Sequence, residues 1–298
     1  MNRGAIEMDA SRKDSQVTVG LIQTAVSDDA SANMNNTLQK IRGAAKKGAK
    51  IVCLQELFRT KYFPQYEKKD FTSLAETVPG ETTAAFSALA KDLEIVIIVP
   101  VFERSREGKY YNSAVVVDAD GRLLKTYRKI HIPHDPLFYE QDYFTPGDNG
   151  FVVHKTRYAT FAVLICYDQW FPEAARICAL QGADILFYPT AIGWIKGHNS
   201  EDGDWHDAWE TIQRSHAIAN GVHVAAANRV GEEGNLKFWG GSFVSDPFGD
   251  VLKRASFERE ATVVAELDLS RNARIQEGWG FLRNRRPDTY GPLASKKA

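Results

Sequence analysis

A short apolar run that ends at a cysteine is the feature that most constrains this chain. Phe161 to Ile165 are consecutive apolar residues, and Cys166 follows them directly. A continuous run of this length is typical of a strand that is buried on both faces of a sheet. Pro172 and Glu173 then suit the first turn of a helix, because proline loses no hydrogen bond there and a carboxylate meets the positive end of the dipole. The stretch predicts a strand, a turn that carries a thiol, and a helix.

Cys166 is the first candidate nucleophile. A thiol between the end of a strand and the start of a helix can feel the helix dipole, which favours the thiolate. The alternative is that Cys166 is a small buried hydrophobic residue. Cys53 and Cys178 fall inside an apolar strand and a helix, and we interpret both as packing residues. Three cysteines without CxxC spacing predict free thiols rather than a disulfide framework or a zinc site.

Two other strand-like runs also end in residues that can take part in catalysis. The run from Ala49 ends at Glu56, and the run from Leu123 ends at Lys129. Because parallel strands present their carboxyl ends along one edge of a sheet, we expect Glu56, Lys129 and Cys166 to meet. A carboxylate can take a thiol proton, a thiolate can attack a carbonyl carbon, and an ammonium can stabilise the developing oxyanion. This chemistry requires no metal and no cofactor.

Four segments in this order resemble the nitrilase superfamily of carbon–nitrogen hydrolases. The segments are Leu54–Glu56, Tyr127–His131, Phe138–Glu140, and Cys166–Asp168 together with Phe171–Glu173. The resemblance implies that Glu56 is the general base, Lys129 the catalytic lysine and Cys166 the nucleophile. Glu140 stands where the superfamily has a second glutamate beside the lysine. The backbone N–H of Tyr167 is a candidate second donor to the oxyanion.

The resemblance covers nearly the whole chain, from about Val17 to Tyr290, and implies an α/β fold. The implied architecture is a four-layer α-β-β-α sandwich of the nitrilase type with two mixed sheets. In that superfamily the sandwiches associate through helices into an eight-layer dimer and often into larger assemblies. We expect one carbon–nitrogen hydrolase domain over residues 1–298, with a polar N-terminal tail at 1–15. The C-terminal tail, 279–298, interleaves arginines with aromatic residues, and we expect it at a subunit interface.

Composition narrows the choice of partners. The 37 Lys+Arg nearly balance the 38 Asp+Glu, so no overall field favours nucleic acid or an anionic membrane. The polar N-terminal segment has no signal-peptide core, and no stretch approaches the length of a membrane span. We therefore expect a cytoplasmic protein with a small-molecule partner. The resemblance implies that this partner is a carbamoyl or amide compound and that the protein is a homodimer or larger homo-oligomer.

Long loops beside the predicted strand ends are the expected pocket walls. The predicted substrate-binding residues are the aromatic residues Tyr62, Trp170 and Trp194. The loop from His131 to Gly150 holds histidines and acids whose spacing matches no metal-ligand motif, so we predict no metal site. A second long loop runs from Pro189 to Asp204 and includes Glu201 and Asp202. Its acids suit a cationic substrate tail, or they are solvated surface.

Within the superfamily, several segments are most similar to the amidohydrolases of N-carbamoylputrescine. These segments are Asp168–Arg176, Tyr188–Gly193, Gln213–Asn220 and Trp279–Tyr290. The similarity implies hydrolysis of N-carbamoylputrescine to putrescine, carbon dioxide and ammonia through a covalent thiol intermediate. N-carbamoyl amino acid amidohydrolases, β-ureidopropionases and ω-amidases of the same superfamily are the alternatives.

Two alternatives of other classes also stay open. A Cys–His hydrolase would use His131 or His134 as its base. A binding or assembly protein would use the same fold together with the basic C-terminal tail. The combination of Glu, Lys and Cys at three strand ends disfavours this second alternative, because a binding protein does not need it.

Overall fold

The computed structural model describes residues 15–197, 201 and 203–295. Its strands are β1 (Gln16–Gln23), β2 (Ile51–Leu54), β3 (Val96–Arg104), β4 (Tyr110–Val117), β5 (Tyr127–Arg128), β6 (Val153–Lys155), β7 (Thr160–Val163), β8 (Ile185–Pro189), β9 (Gly193–Ile195), β10 (His223–Ala227), β11 (Val230–Glu233), β12 (Leu236–Trp239), β13 (Phe243–Ser245), β14 (Val251–Arg254) and β15 (Ala261–Asp268). Its helices are α1 (Ala30–Lys46), α2 (Glu81–Leu93), α3 (Pro172–Leu180), α4 (Trp205–Asn220) and α5 (Ser270–Trp279). Most of the N-terminal tail, the last three residues, and His198 and Asp202 of the second long loop lie outside the described residues.

Two six-stranded sheets form the centre of the molecule. Their strand orders are β15-β1-β2-β3-β4-β5 and β14-β13-β10-β8-β7-β6. In the first sheet β1, β2 and β3 are parallel, and antiparallel strands flank them. In the second sheet β7, β8 and β10 are parallel, again between antiparallel neighbours. Both sheets are therefore mixed, as predicted.

The alternation of side chains along the central strands explains the layers. In β2, Ile51 and Cys53 belong to the core between the two sheets, whereas Val52 and Leu54 pack with residues of α1 and α2. Successive strand residues point to opposite faces, so a strand that is apolar on both faces needs cover on both sides. Helices α3 and α4 cover the outer face of the second sheet. The structure confirms the predicted four-layer α-β-β-α sandwich.

A third sheet, β11-β12-β9, replaces part of the predicted loop from Pro189 to Asp204. Gly193 of β9 pairs with Phe238 of β12, and a Cβ at Gly193 would lie 2.4 Å from the carbonyl oxygen of Lys237. Only glycine permits this approach. The partner strand is distant in the chain, so no local pattern announces the pairing.

The turn after β7 carries the thiol, as predicted, but the strand before it ends two residues earlier than the apolar run. The strand ends at Val163, and Cys166 begins a separate 3₁₀ turn (Cys166–Trp170) before α3 starts at Pro172.

Among the helices of the described residues, none combines the length and apolar character needed to cross a bilayer.

Candidate active site

Three buried charges meet where β2 and β5 end. Glu56 follows β2, Lys129 follows β5, and Glu140 lies in a 3₁₀ turn of the loop after Lys129. The Nζ of Lys129 lies 2.9 Å from Oε1 of Glu56 and 2.6 Å from Oε2 of Glu140. All three side chains are fully buried. The structure therefore brings together three of the residues that the sequence predicts for catalysis.

Two neutral side chains hold the carboxylates in place. The hydroxyl of Tyr62 donates to Oε1 of Glu140 at 2.7 Å, and Nδ2 of Asn112 donates to Oε1 of Glu56 at 2.7 Å. Tyr62, a predicted substrate-binding residue, is thus fully buried and positions Glu140. Asn112 is not predicted from the sequence, although a polar residue inside the apolar strand β4 is the signal that could have found it.

These bonds leave one oxygen of Glu56 available. Oε1 accepts hydrogen bonds from both Lys129 and Asn112, whereas Oε2 is buried and has no hydrogen-bond partner among the described residues. A buried carboxylate oxygen that accepts no hydrogen bond is energetically costly, and a proton donor beside it would remove that cost. Oε2 is the atom of Glu56 that can receive a proton.

Cys166 lies in a conformation that is rare for a residue with a side chain. Its φ is 44°, in the left-handed region, and its side chain is 6% exposed. The Sγ atom lies 3.9 Å from the carbonyl oxygen of Ala191. Strained backbone of this kind clusters at functional sites, where the surrounding structure holds it in place.

The buried carboxylate of Asp168 holds this turn to the lysine strand. It accepts hydrogen bonds from the backbone N–H of Ile165 at 2.9 Å and from the hydroxyl of Tyr127 at 2.7 Å. His131, two residues after Lys129, contributes its backbone N–H and its Nδ1, the latter at 2.7 Å. The ring of His131 also stacks on Phe171. The hydrogen bonds and the ring contact of His131 are therefore both structural.

The structure changes the expected protonation state of Cys166, the predicted nucleophile. Burial, followed by the charge of Glu56, raises the pKa of the Cys166 thiol well above its ordinary value, and the Lys129 ammonium only partly opposes this. The resting group is therefore a thiol and not the thiolate expected from a helix dipole, because burial penalises the charged form. Burial also penalises the Lys129 ammonium, but the charges of Glu140 and Glu56 outweigh this effect and raise the pKa of Lys129.

A cavity of about 580 Å³ opens onto the thiol. Its wall contains Pro133, Asp135, Pro136, Leu137, Phe138, Glu140, Cys166, Tyr167, Gln169, Trp170, Ala191, Ile192, Gly193, Ile195, Trp205 and Ala208. The predicted residues Tyr167 and Trp170 lie in this wall. Trp194, also a predicted substrate-binding residue, is not among the wall residues of the described chain. It lies between two wall residues of β9 and packs on Trp205 and Trp239, because neighbouring strand residues face opposite sides.

A buried ion pair fixes the segment that joins Glu56 to Tyr62. Nη1 of Arg229 lies 2.8 Å from Glu233, and Nη2 of Arg229 donates to the carbonyl oxygens of Glu56 and Leu57, both at 2.8 Å. Glu233 also accepts the backbone N–H of Tyr62 at 2.6 Å. The sequence does not predict this pair, although an arginine two residues after the buried strand β10 is a detectable signal.

Comparison with known proteins decides the family. The model of the carbon–nitrogen hydrolase family matches residues 18–276 of the 298. The chain belongs to this family. The predicted superfamily and the hydrolase class are therefore confirmed.

Individual relatives of this carbon–nitrogen hydrolase cover almost all of it. It is 45% identical over 288 residues to the N-carbamoylputrescine amidase of Oryza sativa subsp. japonica, with 94% of this chain and 95% of that protein covered. It is 37% identical over 285 residues to the citrullinase of Francisella tularensis subsp. tularensis, with 94% and 99% covered. The crystal structure of the carbon–nitrogen hydrolase from Helicobacter pylori G27 matches with a TM-score of 0.90 at 43% identity and covers 94% of this chain and 99% of that chain.

The acid limb of the activity profile of this hydrolase is predicted to depend on Glu140. Burial raises the pKa of Glu140 to about 6, and the Glu56 charge adds to this while the Lys129 ammonium and the Tyr62 hydroxyl oppose it. Below that pH Glu140 gains a proton and no longer balances Lys129. We expect kcat/KM to fall about tenfold per pH unit on the acid side, with an apparent pKa near 6 that belongs to the coupled cluster.

Steady-state rates from pH 4.5 to 8 would measure this limb. Tyr62→Phe removes a hydrogen bond that lowers the pKa of Glu140, so the limb should move to higher pH in that variant. A profile that is flat down to pH 5, or a Tyr62→Phe limb that moves to lower pH, would contradict the assignment.

Proposed function

We propose that this enzyme hydrolyses N-carbamoylputrescine to putrescine, carbon dioxide and ammonia. The observation that carries the proposal is a thiol at the floor of a cavity, beside a buried lysine that two carboxylates hold. The N-carbamoylputrescine amidase of Oryza sativa, 45% identical over most of both chains, supports the choice of substrate.

In the first half of the proposed reaction, Glu56 takes the proton of the Cys166 thiol through Oε2. The thiolate attacks the ureido carbon, and the former carbonyl oxygen becomes an oxyanion. Glu56 then returns the proton to the departing nitrogen, the C–N bond breaks and ammonia leaves. A thiocarbamate between Cys166 and the putrescine nitrogen remains. A general base is required here because the resting thiol carries its proton.

In the second half, Glu56 deprotonates a water molecule that attacks the thiocarbamate carbon. The C–S bond breaks, and the thiol recovers its proton. The released carbamate loses carbon dioxide and leaves the free amine. Two steps with an enzyme-bound intermediate replace one direct attack of water on a urea.

The geometry of Lys129 supports its proposed role at the oxyanion. Its Nζ carries three protons, and two of them point to Glu56 and Glu140. Within the described part of the chain the third proton has no hydrogen-bond partner, so it is the one left to stabilise the oxyanion. The backbone N–H of Tyr167, in the first turn that follows the strand, is the proposed second donor. Donors that are fixed before the charge develops are the strongest contribution to such reactions.

The substrate assignment can be tested by ammonia release from four compounds. We expect kcat/KM for N-carbamoylputrescine to exceed that for citrulline, N-carbamoyl-β-alanine and a simple ω-amide by about 100-fold or more. A substrate tail whose charge does not match the cavity wall leaves polar groups unpaired, and this lowers kcat/KM by about that factor. Glu56→Gln keeps the shape of the base and should lose turnover of all four compounds. His131→Ala and His134→Ala address the Cys–His alternative and should retain turnover.

Preference for citrulline or for an acid would overturn the substrate and leave the Glu56–Lys129–Cys166 chemistry intact. Loss of turnover in a histidine variant together with survival of Glu56→Gln would establish the Cys–His alternative. Absence of turnover with every compound would favour a binding function on this fold.

We further infer that the enzyme self-associates through α3, α4 and the C-terminal tail. Apolar side chains are exposed in these segments: Ile177, Leu180, Ile218, Trp279 and Leu293. An apolar surface of this kind on a folded protein favours burial against a partner. A homodimer formed by the helix layers would cover it.

A further inference from the structure

The charge of the cavity wall is one-sided. Its acidic residues are Asp135 and Glu140, and within the described residues no lysine or arginine lies in the wall. Both oxygens of Glu140 are engaged, by the hydroxyl of Tyr62 and by the ammonium of Lys129. The carboxylate of Asp135 has no hydrogen bond or ion pair with any other described residue. Asp135 is therefore the wall carboxylate that no other described side chain pairs with when a charged group enters the cavity.

Asp135 and Cys166 lie at different depths of the cavity. Cys166 and Glu140 are buried, whereas Asp135 and its neighbour Pro136 are exposed. Tyr167 lies in the same wall and feels both ends: burial and then the Asp135 charge raise the pKa of its hydroxyl, while the Lys129 charge lowers it. A bound substrate would therefore have its reacting carbon beside Cys166 at the floor of the cavity. The Asp135 carboxylate lies at the mouth of the cavity.

The wall between these two ends is mainly apolar. It is formed by Leu137, Phe138, Trp170, Ile192, Ile195 and Trp205. Such a surface suits a chain of methylene groups, and aromatic faces also attract an ammonium. A substrate tail that ends in a carboxylate would be desolvated on this wall, and its charge would repel the Asp135 carboxylate.

The acids of the second long loop are less suited to this role. Asp204 is the N-cap of α4 and accepts the backbone N–H groups of His206 and Asp207 at 2.9 and 3.2 Å. Glu201 is exposed and is not among the wall residues of the described chain. The first place to look for the partner of a substrate amine is therefore the loop after Lys129.

We propose that Asp135 binds the terminal ammonium of the substrate and so selects linear ureido-amines over ureido-acids and amide-acids. The inference rests on the proposed function, because it places the ureido carbon at Cys166. An ammonium beside the carboxylate forms a charge-assisted hydrogen bond at the mouth of the cavity. The methylene chain then spans the apolar wall.

The test compares Asp135→Asn with the unmodified enzyme on two ureas. N-carbamoylputrescine and N-butylurea share the ureido group and the four-carbon chain, but only the first has an ammonium. We expect kcat/KM of Asp135→Asn to fall about 10- to 100-fold for N-carbamoylputrescine, mainly through KM, because a hydrogen bond to a charged group is lost. The value for N-butylurea should stay within about twofold. Asp207→Asn, at an exposed acid of α4, is the matched control and should leave both values unchanged.

A charge reversal provides an independent measurement. Asp135→Lys should lose turnover of N-carbamoylputrescine. It should gain turnover of N-carbamoyl-γ-aminobutyrate, whose tail is a carboxylate. Equal losses of Asp135→Asn on both ureas would assign Asp135 a structural role and overturn the inference. Unchanged kinetics with N-carbamoylputrescine would overturn it as well. Failure of the unmodified enzyme to hydrolyse N-carbamoylputrescine would refute the proposed function itself. Failure of the Asp135 inference would instead be seen in the variants while the unmodified enzyme stays active.

Discussion

Replacing Cys166 by alanine should reduce ammonia release from N-carbamoylputrescine by on the order of 10⁴-fold or more. In the proposed mechanism the Cys166 sulfur is the protein atom that bonds covalently to the substrate, and an enzyme loses nearly all activity when one member of a catalytic group is removed. Alanine keeps the backbone at φ 44° as feasible as cysteine does and leaves the Glu56–Lys129–Glu140 cluster in place. Single-turnover assays with excess enzyme would measure the loss. Intact-mass analysis after an acid quench should show a covalent adduct on the unmodified enzyme only.

Cys178→Ala is the matched control. Cys178 is fully buried in α3, and burial raises the pKa of its thiol to about 12, so it is a poor nucleophile. This variant should retain activity within about twofold, since removal of one buried sulfur affects packing and not chemistry. Substantial activity in Cys166→Ala, or an adduct that persists in that variant, would show that the nucleophile has been misassigned.

The second large effect concerns stability. Arg229→Met should lower the free energy of unfolding by about 3–5 kcal/mol, because it leaves the buried carboxylate of Glu233 without its cation. The carbonyl oxygens of Glu56 and Leu57 also lose their donor. Methionine retains apolar contact with the ring of Phe238, over which the guanidinium now lies at 5.1 Å. Urea denaturation followed by tryptophan fluorescence would measure the change.

Two further variants separate the buried pair from charge in general. Arg229→Met combined with Glu233→Gln removes both charges and should recover part of the lost stability. Arg42→Met breaks the exposed pair of Arg42 with Asp92 and should leave the unfolding midpoint nearly unchanged. If Arg229→Met unfolds at the same urea concentration as the unmodified protein, the pair does not stabilise the fold as we expect.

The sequence by itself determined the fold class and the residues that meet at the candidate active site. Each of Glu56, Lys129 and Cys166 follows a β-prone run, and local hydrophobic pattern is enough to place such runs as strands. Parallel strands align their carboxyl ends, which brings Glu56 and Lys129 to one edge of the first sheet. Cys166 follows β7 of the second sheet, so the packing of the two sheets is what brings it to them. The resemblance to the superfamily supplied the second glutamate, Glu140, and the arrangement of the layers.

The tertiary structure decided the properties that depend on partners from elsewhere in the chain. The proton on the Cys166 thiol follows from its burial, which no local pattern encodes. Asn112 and Arg229 act through hydrogen bonds to Glu56 and its loop, and Tyr62 acts on Glu140. The isolated carboxylate of Asp135 is visible only once the cavity wall is known. Sequence periodicity reports which face of an element is apolar, whereas burial, charge pairing and cavity shape arise only when distant elements pack together.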